Sequence, residues 1–181
     1  DLSGTGNLGY RNARMLDAAS TRQGASAMTG ASILVSDLTL GYQLGRPVIR
    51  HFSARLGAGL HVLSGPNGSG KSTLMLALAG QLEPIAGSVF LEDHPAASDE
   101  ARGLRNVVTS RPALIPSLTL RDHVELAQIS LGLPREQIER RLEDYQLSAW
   151  IDAPCSELSS GNRQRSWWAF STVAPRPILL V

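Results

Sequence analysis

Gly65-Pro66-Asn67-Gly68-Ser69-Gly70-Lys71-Ser72-Thr73 matches G-x-x-x-x-G-K-[ST] in full, the phosphate-binding P-loop. A short apolar run, Leu60 to Ser64, precedes it and reads as a buried strand. Ser72 to Leu82 follows with Leu74, Leu76, Ala77 and Leu78 and no breaker before Gly80, so it reads as a helix. Strand–loop–helix is the setting in which the motif carries meaning. Glycines at 65, 68 and 70 open backbone angles closed to other residues and let successive N–H groups turn inward as an anion nest. The helix behind them adds its positive end. Lys71 is the only lysine among 17 basic residues. Its compact ammonium suits a tightly wrapped triphosphate better than a planar guanidinium. The loop therefore predicts a nucleoside triphosphate. Lys71 is expected on the β- and γ-phosphates, the Ser72 hydroxyl on Mg²⁺, and Thr73 as a further phosphate contact.

Outward from the loop the pattern alternates strands and helices. Ile33 to Tyr42 and Val48 to Leu56 read as paired strands across the Gly45-Arg46-Pro47 turn. Gly87 to Leu91 and Asn106 to Thr109 read as further strands. Thr119-Leu120-Arg121-Asp122 reads as a capping box opening a helix through about Leu131. Pro134 opens another through about Leu142. Ser160 to Val173 reads as a helix, and Pro177 to Val181 as a buried strand. Residues 1–30, rich in Gly, Ser, Ala, Thr and Asn, read as a flexible, disordered leader.

Composition narrows the rest. With 181 residues, 43% hydrophobic and 18% charged, the chain has the make-up of one globular α/β domain. A net charge of +1 without a basic run gives no reason to expect nucleic acid. No apolar stretch approaches the roughly 20 residues of a membrane span. Cys155, the one cysteine, has no ligand spacing around it and reads as an ordinary small residue. His51, His61, His94 and His123 are scattered without metal spacing. Glu136, Glu139, Arg140 and Arg141 read as a solvated helix face.

The P-loop alone leaves kinases, GTPases, motors and transporters open. Leu158-Ser159-Ser160-Gly161-Asn162-Arg163-Gln164-Arg165 resembles the signature LSGGQ-x-Q-R of ATP-binding cassette (ABC) proteins. Ala113 to Leu120 resembles the stretch just after that family's Q-loop, and Pro177 to Val181 the start of its Walker B strand. The resemblance runs from about Ile33 to Val181. It implies a P-loop NTPase with an ABC-type core: a central, mainly parallel sheet flanked by helices, N-terminal antiparallel strands, and a helical subdomain at about 117–160 within a domain of residues 31–181. It implies ATP with Mg²⁺ as ligands, held by Tyr42 beneath the adenine, the loop 65–73, Ser110 at the Q-loop position, and Ser159, Ser160, Gly161 and Asn162. A strand-end tyrosine packed on its own sheet is the other reading of Tyr42. Physically, the signature places a serine hydroxyl and a close-approach glycine at a helix N-terminus, which suits an anion. In the family that anion is the γ-phosphate on a second ABC subunit, so ATP is expected between Lys71 of one subunit and Ser159 of the other.

The sequence departs from the pattern at four places. Ser110 stands where glutamine is usual and is shorter. Ser160 and Asn162 replace Gly and Gln. Trp167, Trp168 and Phe170 are bulky where the family is small, and read either as core packing or as an interaction surface. The Walker B aspartate, the catalytic glutamate and the switch histidine are expected only after Val181, so no catalytic residue is assigned within the chain, which reads as a truncated cassette with little hydrolysis of its own. The resemblance implies the ATP-binding subunit of a transporter, peripheral on the cytoplasmic face of the membrane, dimerising and moving a separate transmembrane permease subunit docked at the helical unit. A soluble ABC factor of translation or DNA repair, or a non-hydrolysing nucleotide-binding module, is the alternative. A small-molecule kinase would share the P-loop but not the 158–165 signature.

Overall fold

The shift of phase in the first long hydrophobic run organises the N-terminal half. Ile33 and Val35 are buried, then Leu38 and Leu40, so the alternation jumps by one position between them. In the computed structural model, which describes residues 14–17, 32–43 and 45–181, that jump is a β-bulge. Strand β2 (Ile33–Leu40) pairs antiparallel with β3 (Ile49–Leu56), and the register slips first by one residue on β2 and then by one on β3. Asp37 on β2 and His51 on β3 take up these extra positions with φ of 45° and 50°. Their side chains meet at 2.9 Å. The exposed pair adds little stability, but it ties two bulges that cancel one another's offset. On the other side β2 pairs antiparallel with β5 (Ala86–Leu91), where Gly87 sits opposite the bulge at φ 81°. A Cβ there would lie 2.4 Å from the Asp37 carbonyl oxygen, so only glycine fits. The short β6 (His94–Pro95) completes the sheet in the order β3-β2-β5-β6.

The chain divides into two compact units, residues 1–102 and 103–181. In the first, β4 (His61–Ser64) leads through the P-loop into α1 (Lys71–Leu78). Leu74, Ala77 and Leu78 of α1 are buried, as are Ile33, Val35, Leu38, Leu40, Val89 and Leu91 of the sheet. The strand before the loop was expected to be buried; instead Leu60 is 74% and Val62 46% exposed. Strand β4 pairs antiparallel with β1 (Arg14–Asp17). Those four residues lie within the segment read as an unstructured leader, and the rest of residues 1–30 lies outside the described residues. The pairing is long-range, so no local periodicity announces it. A six-residue helix, α2 (Asp99–Leu104), opens on Ser98, whose Oγ accepts from the Ala101 amide at 3.2 Å.

In the second unit β7 (Arg105–Val107) pairs with β8 (Ile178–Leu180), the parallel ladder among the described residues. The α/β class and the antiparallel N-terminal strands match expectation, while the parallel part is this narrow pair. Helices α3 (Leu120–Leu131), α4 (Arg135–Asp144) and α5 (Ser160–Ser171) enclose a core of Leu120, Val124, Ile138, Leu142, Leu147 and Leu158. The capping box forms as predicted: Thr119 Oγ1 accepts from the Asp122 amide at 3.1 Å, and Asp122 Oδ2 accepts from the Thr119 amide at 2.8 Å. Helix α3 ends on Gly132 at φ 65°, a left-handed cap. Pro134 takes the N-cap of α4 rather than its first turn.

Candidate nucleotide-binding site

The P-loop is built by two left-handed glycines and an uncapped helix. Gly68 has φ 79° and Gly70 φ 92°, whereas Gly65 needs no such angle. At Gly70 crowding adds to conformation: a Cβ would come within 2.9 Å of Ile49 Cγ1. The turn closes with the Ser69 amide on the Pro66 carbonyl at 3.2 Å, and α1 starts with the Leu74 amide on the Gly70 carbonyl at 2.8 Å. No side chain caps α1, and its first turn carries no acidic residue. Its leading N–H groups are therefore left for an anion. Lys71 Nζ donates to the carbonyls of Gly65 at 2.8 Å and Pro66 at 2.9 Å, which folds the ammonium over the loop. Ser69 Oγ is buried with no hydrogen-bond partner. A buried hydroxyl left unpaired costs free energy that an incoming oxyanion would recover. These features fit a phosphate chain. Asn67 and Pro66 stand exposed at the tip of the loop.

Around the loop, Ser72 is exposed and Thr73 buried. Tyr42 is 65% exposed, and its hydroxyl lies 3.4 Å from Thr73 Oγ1. This places its ring beside α1, next to the phosphate loop and open to solvent, rather than packed into the sheet.

The signature segment lies in the second unit. Leu158 is buried in the helical core. Ser159 is the N-cap of α5, its Oγ accepting from the Asn162 amide at 3.1 Å. As an acceptor in that bond, the Ser159 hydroxyl still has its own proton to donate. Ser160 and Gly161 are exposed. A Cβ on Gly161 would meet nothing nearer than Ser159 Oγ at 4.0 Å, so nothing within the chain demands a glycine there. Asn162 differs from the sequence reading. It is 6% exposed, and its Oδ1 accepts from the Arg165 guanidinium. The side chain is turned into the protein, so what it offers a ligand at this helix tip is backbone. Ser110 is exposed on the loop after β7, five residues before Ile115.

Trp167, Trp168 and Phe170 are all at least partly buried, and Phe170 packs on the helical core. Core packing accounts for Phe170. Trp167 Nε1 is buried without a hydrogen-bond partner. The larger exposed ring is Trp150, in a 3₁₀ turn at Ser148–Trp150 that the sequence reading did not single out. Burial pushes the Cys155 thiol up from its ordinary value, in keeping with an inert packing residue. No cluster of histidine, cysteine and carboxylate suited to a metal occurs among the described residues.

Comparison with known proteins follows the same line. The ABC transporter family model matches residues 51–181. The cytochrome c biogenesis ATP-binding export protein CcmA of Rhizobium meliloti (strain 1021) is 32% identical over 88% of this chain and 72% of its own length. The energy-coupling factor transporter ATP-binding protein EcfA of Methanothermobacter thermautotrophicus is 33% identical over 74% of this chain and 46% of its own. The chain thus spans between about half and three quarters of these two relatives. An ATP-binding subunit of an ABC transporter superposes with a TM-score of 0.66 over 81% of this chain and 64% of that one, at 23% identity. A bacterial ABC exporter with ATP bound does so at 0.69 over 86% and 30%, at 22% identity. These two likenesses speak to the fold. The family match over residues 51–181, together with a relative this similar over most of its length, places the chain in the ABC transporter family, among the ATP-binding subunits whose class activity is the hydrolysis of ATP.

Proposed function

We propose that this chain is the ATP-gripping part of an ABC transporter subunit, which closes on ATP against a second ABC subunit and so drives a separate transmembrane permease. The observation that carries the reading is the mouth of the P-loop: an uncapped helix start, an unpartnered buried Ser69 hydroxyl and a lysine folded over the same opening. On binding, Lys71 would leave the Gly65 and Pro66 carbonyls for the β- and γ-phosphate oxygens. The Ser69 hydroxyl and the N–H groups of residues 68–73 would take the remaining phosphate oxygens. Ser72 would hold Mg²⁺, which when bound neutralises charge building on the β- and γ-oxygens. Tyr42, exposed beside Thr73, would carry the adenine.

At the helix tip, the Ser159 proton and the exposed backbone at Ser160 and Gly161 would grip the γ-phosphate held by a partner subunit. Binding energy made only in the closed pair then shifts the equilibrium toward closure. Leu126 and Ile129 stand exposed one turn apart on α3, Ile129 at 83%, and support docking of the permease on the helical unit. No helix among the described residues is long and apolar enough to cross a membrane, so in this reading the membrane path belongs to the permease and the chain sits on its cytoplasmic face.

Titrating a fluorescent ATP analogue into the chain and into Lys71→Ala tests the reading. Loss of the ammonium is expected to weaken binding at least about tenfold, since a hydrogen bond to a charged group is worth about 1.5–3 kcal/mol. Equal affinities would refute it.

A further inference from the structure

We propose that His123 is the positioning residue of the loop between β7 and α3: its proton-free Nε2 anchors the Ile115 amide and so fixes the segment that carries Ser110. His123 is 9% exposed, and both ring nitrogens are engaged. Nε2 receives the Ile115 amide at 3.0 Å. Nδ1 lies 2.8 Å from the Thr119 carbonyl, which also accepts the backbone amide of His123 at 3.2 Å. A backbone amide only donates and a carbonyl only accepts, so the partners dictate the tautomer: the proton is on Nδ1 and the lone pair on Nε2.

The ring also touches what lies behind it. Its centroid is 5.9 Å from that of Phe170 on α5, and Cys155 Sγ is 3.8 Å from Nδ1. One side chain thus joins the loop, α3, the segment before α5, and α5 itself. The loop needs such a tie. Ile115 is 45% exposed, and Ser110, Arg111 and Ala113 upstream of it are exposed too, so burial does little to place this stretch beyond the packing of Leu114. Downstream, Ser156 donates to the Pro116 carbonyl at 2.9 Å and Cys155 to the Leu118 carbonyl at 2.8 Å, which continues the seam that His123 begins.

A second proton on the ring would set an Nε2–H against the Ile115 N–H, and two donors cannot bond. Protonation therefore releases the anchor. Beside the ring stand the Asp122 carboxylate on α3 and the Cys155 thiol of the segment before α5, and Arg163 of α5 acts on that thiol. The loop contributes the Ile115 amide and the Thr119 carbonyl. The consequence for nucleotide rests on Ser110 taking the Q-loop position that the resemblance implies; the anchor itself does not.

The test uses the whole chain without nucleotide. A long-range ¹H–¹⁵N spectrum of the imidazole at about pH 8 is expected to show the Nδ1–H tautomer. Protection of the Ile115 amide against hydrogen exchange, referenced to the Val124 amide, is expected to fall at least about tenfold in His123→Ala, which leaves that amide without its acceptor. In His123→Gln, whose Oε1 can accept in place of Nε2, that protection should be largely kept. An Nε2–H tautomer, or equal protection of the Ile115 amide in the parent and in His123→Ala, would overturn the proposal. Either result leaves the Lys71→Ala titration untouched, so the two ideas fail separately.

Discussion

A single atom decides much at the phosphate loop. Gly70 cannot become alanine without both a left-handed strain and a clash with Ile49, so Gly70→Ala is expected to cost at least about 1–3 kcal/mol of stability as well as nucleotide affinity. A urea melt alongside the ATP titration reads both. Gly68→Ala, at φ 79° with open space around it, carries the strain without the clash and should cost less. The motif itself was legible because its chemistry is local: nine consecutive residues contain the turn, the nest and the lysine. Asn162 was not legible in the same way. What turns it inward is Arg165 three positions on, and three-residue spacing on a helix face can signal a pair or nothing. His123 was passed over for a similar reason. Its partners at 115 and 119 are backbone groups, and a backbone group leaves no mark in a sequence.

At the scale of elements, the capping box of α3 is a stabilising device with a definite pH signature. Hydrogen bonds from the Thr119 side chain and backbone hold the Asp122 carboxyl below its ordinary value. The folded pKa is therefore the lower of the two. Its contribution is complete above the unfolded value near 3.8 and is lost as pH falls through the depressed folded value. The Arg121–Asp152 pair, bidentate at 2.6 and 3.1 Å, depresses Asp152 in the same sense. The difference in urea midpoint between the chain and Asp122→Ala should accordingly shrink below about pH 4. Thr119→Ala should cost about 0.5–2 kcal/mol at neutral pH. The box could be read in advance because Ser/Thr-x-x-acid before an apolar period is a local rule. The paired bulges could be read only in part. The phase slip from Val35 to Leu38 signals an extra residue in β2, but the compensating slip at His51 depends on which strand lies opposite. The six-residue α2 carries two acids, one arginine and one glycine, and its apolar side is only Ala101 and Leu104, too short a period to give a signal.

For the molecule as a whole, each compact unit carries its own buried residues, and the two proposed gripping surfaces are built separately: the P-loop on residues 65–73 in one, the signature on residues 158–162 in the other. Leu142 is 1% exposed in the helical core, so Leu142→Ala is expected to cost about 2–5 kcal/mol, read as lost hydrogen-exchange protection in α3, α4 and α5. The α/β class, the helical unit and the family were all present in the order of motifs; the pairing of β4 with β1 was not, because edge strands find partners by proximity and not by pattern. The vacancy around Gly161 has a practical corollary. A methyl group added there meets nothing closer than an ordinary 4.0 Å contact with Ser159 Oγ, and alanine suits a helix better than glycine by up to about 1 kcal/mol. Gly161→Ala should therefore melt no lower than the parent, and if the proposed closure on a second ABC subunit holds, a loss of ATP-dependent assembly in this variant would report on that contact and not on folding.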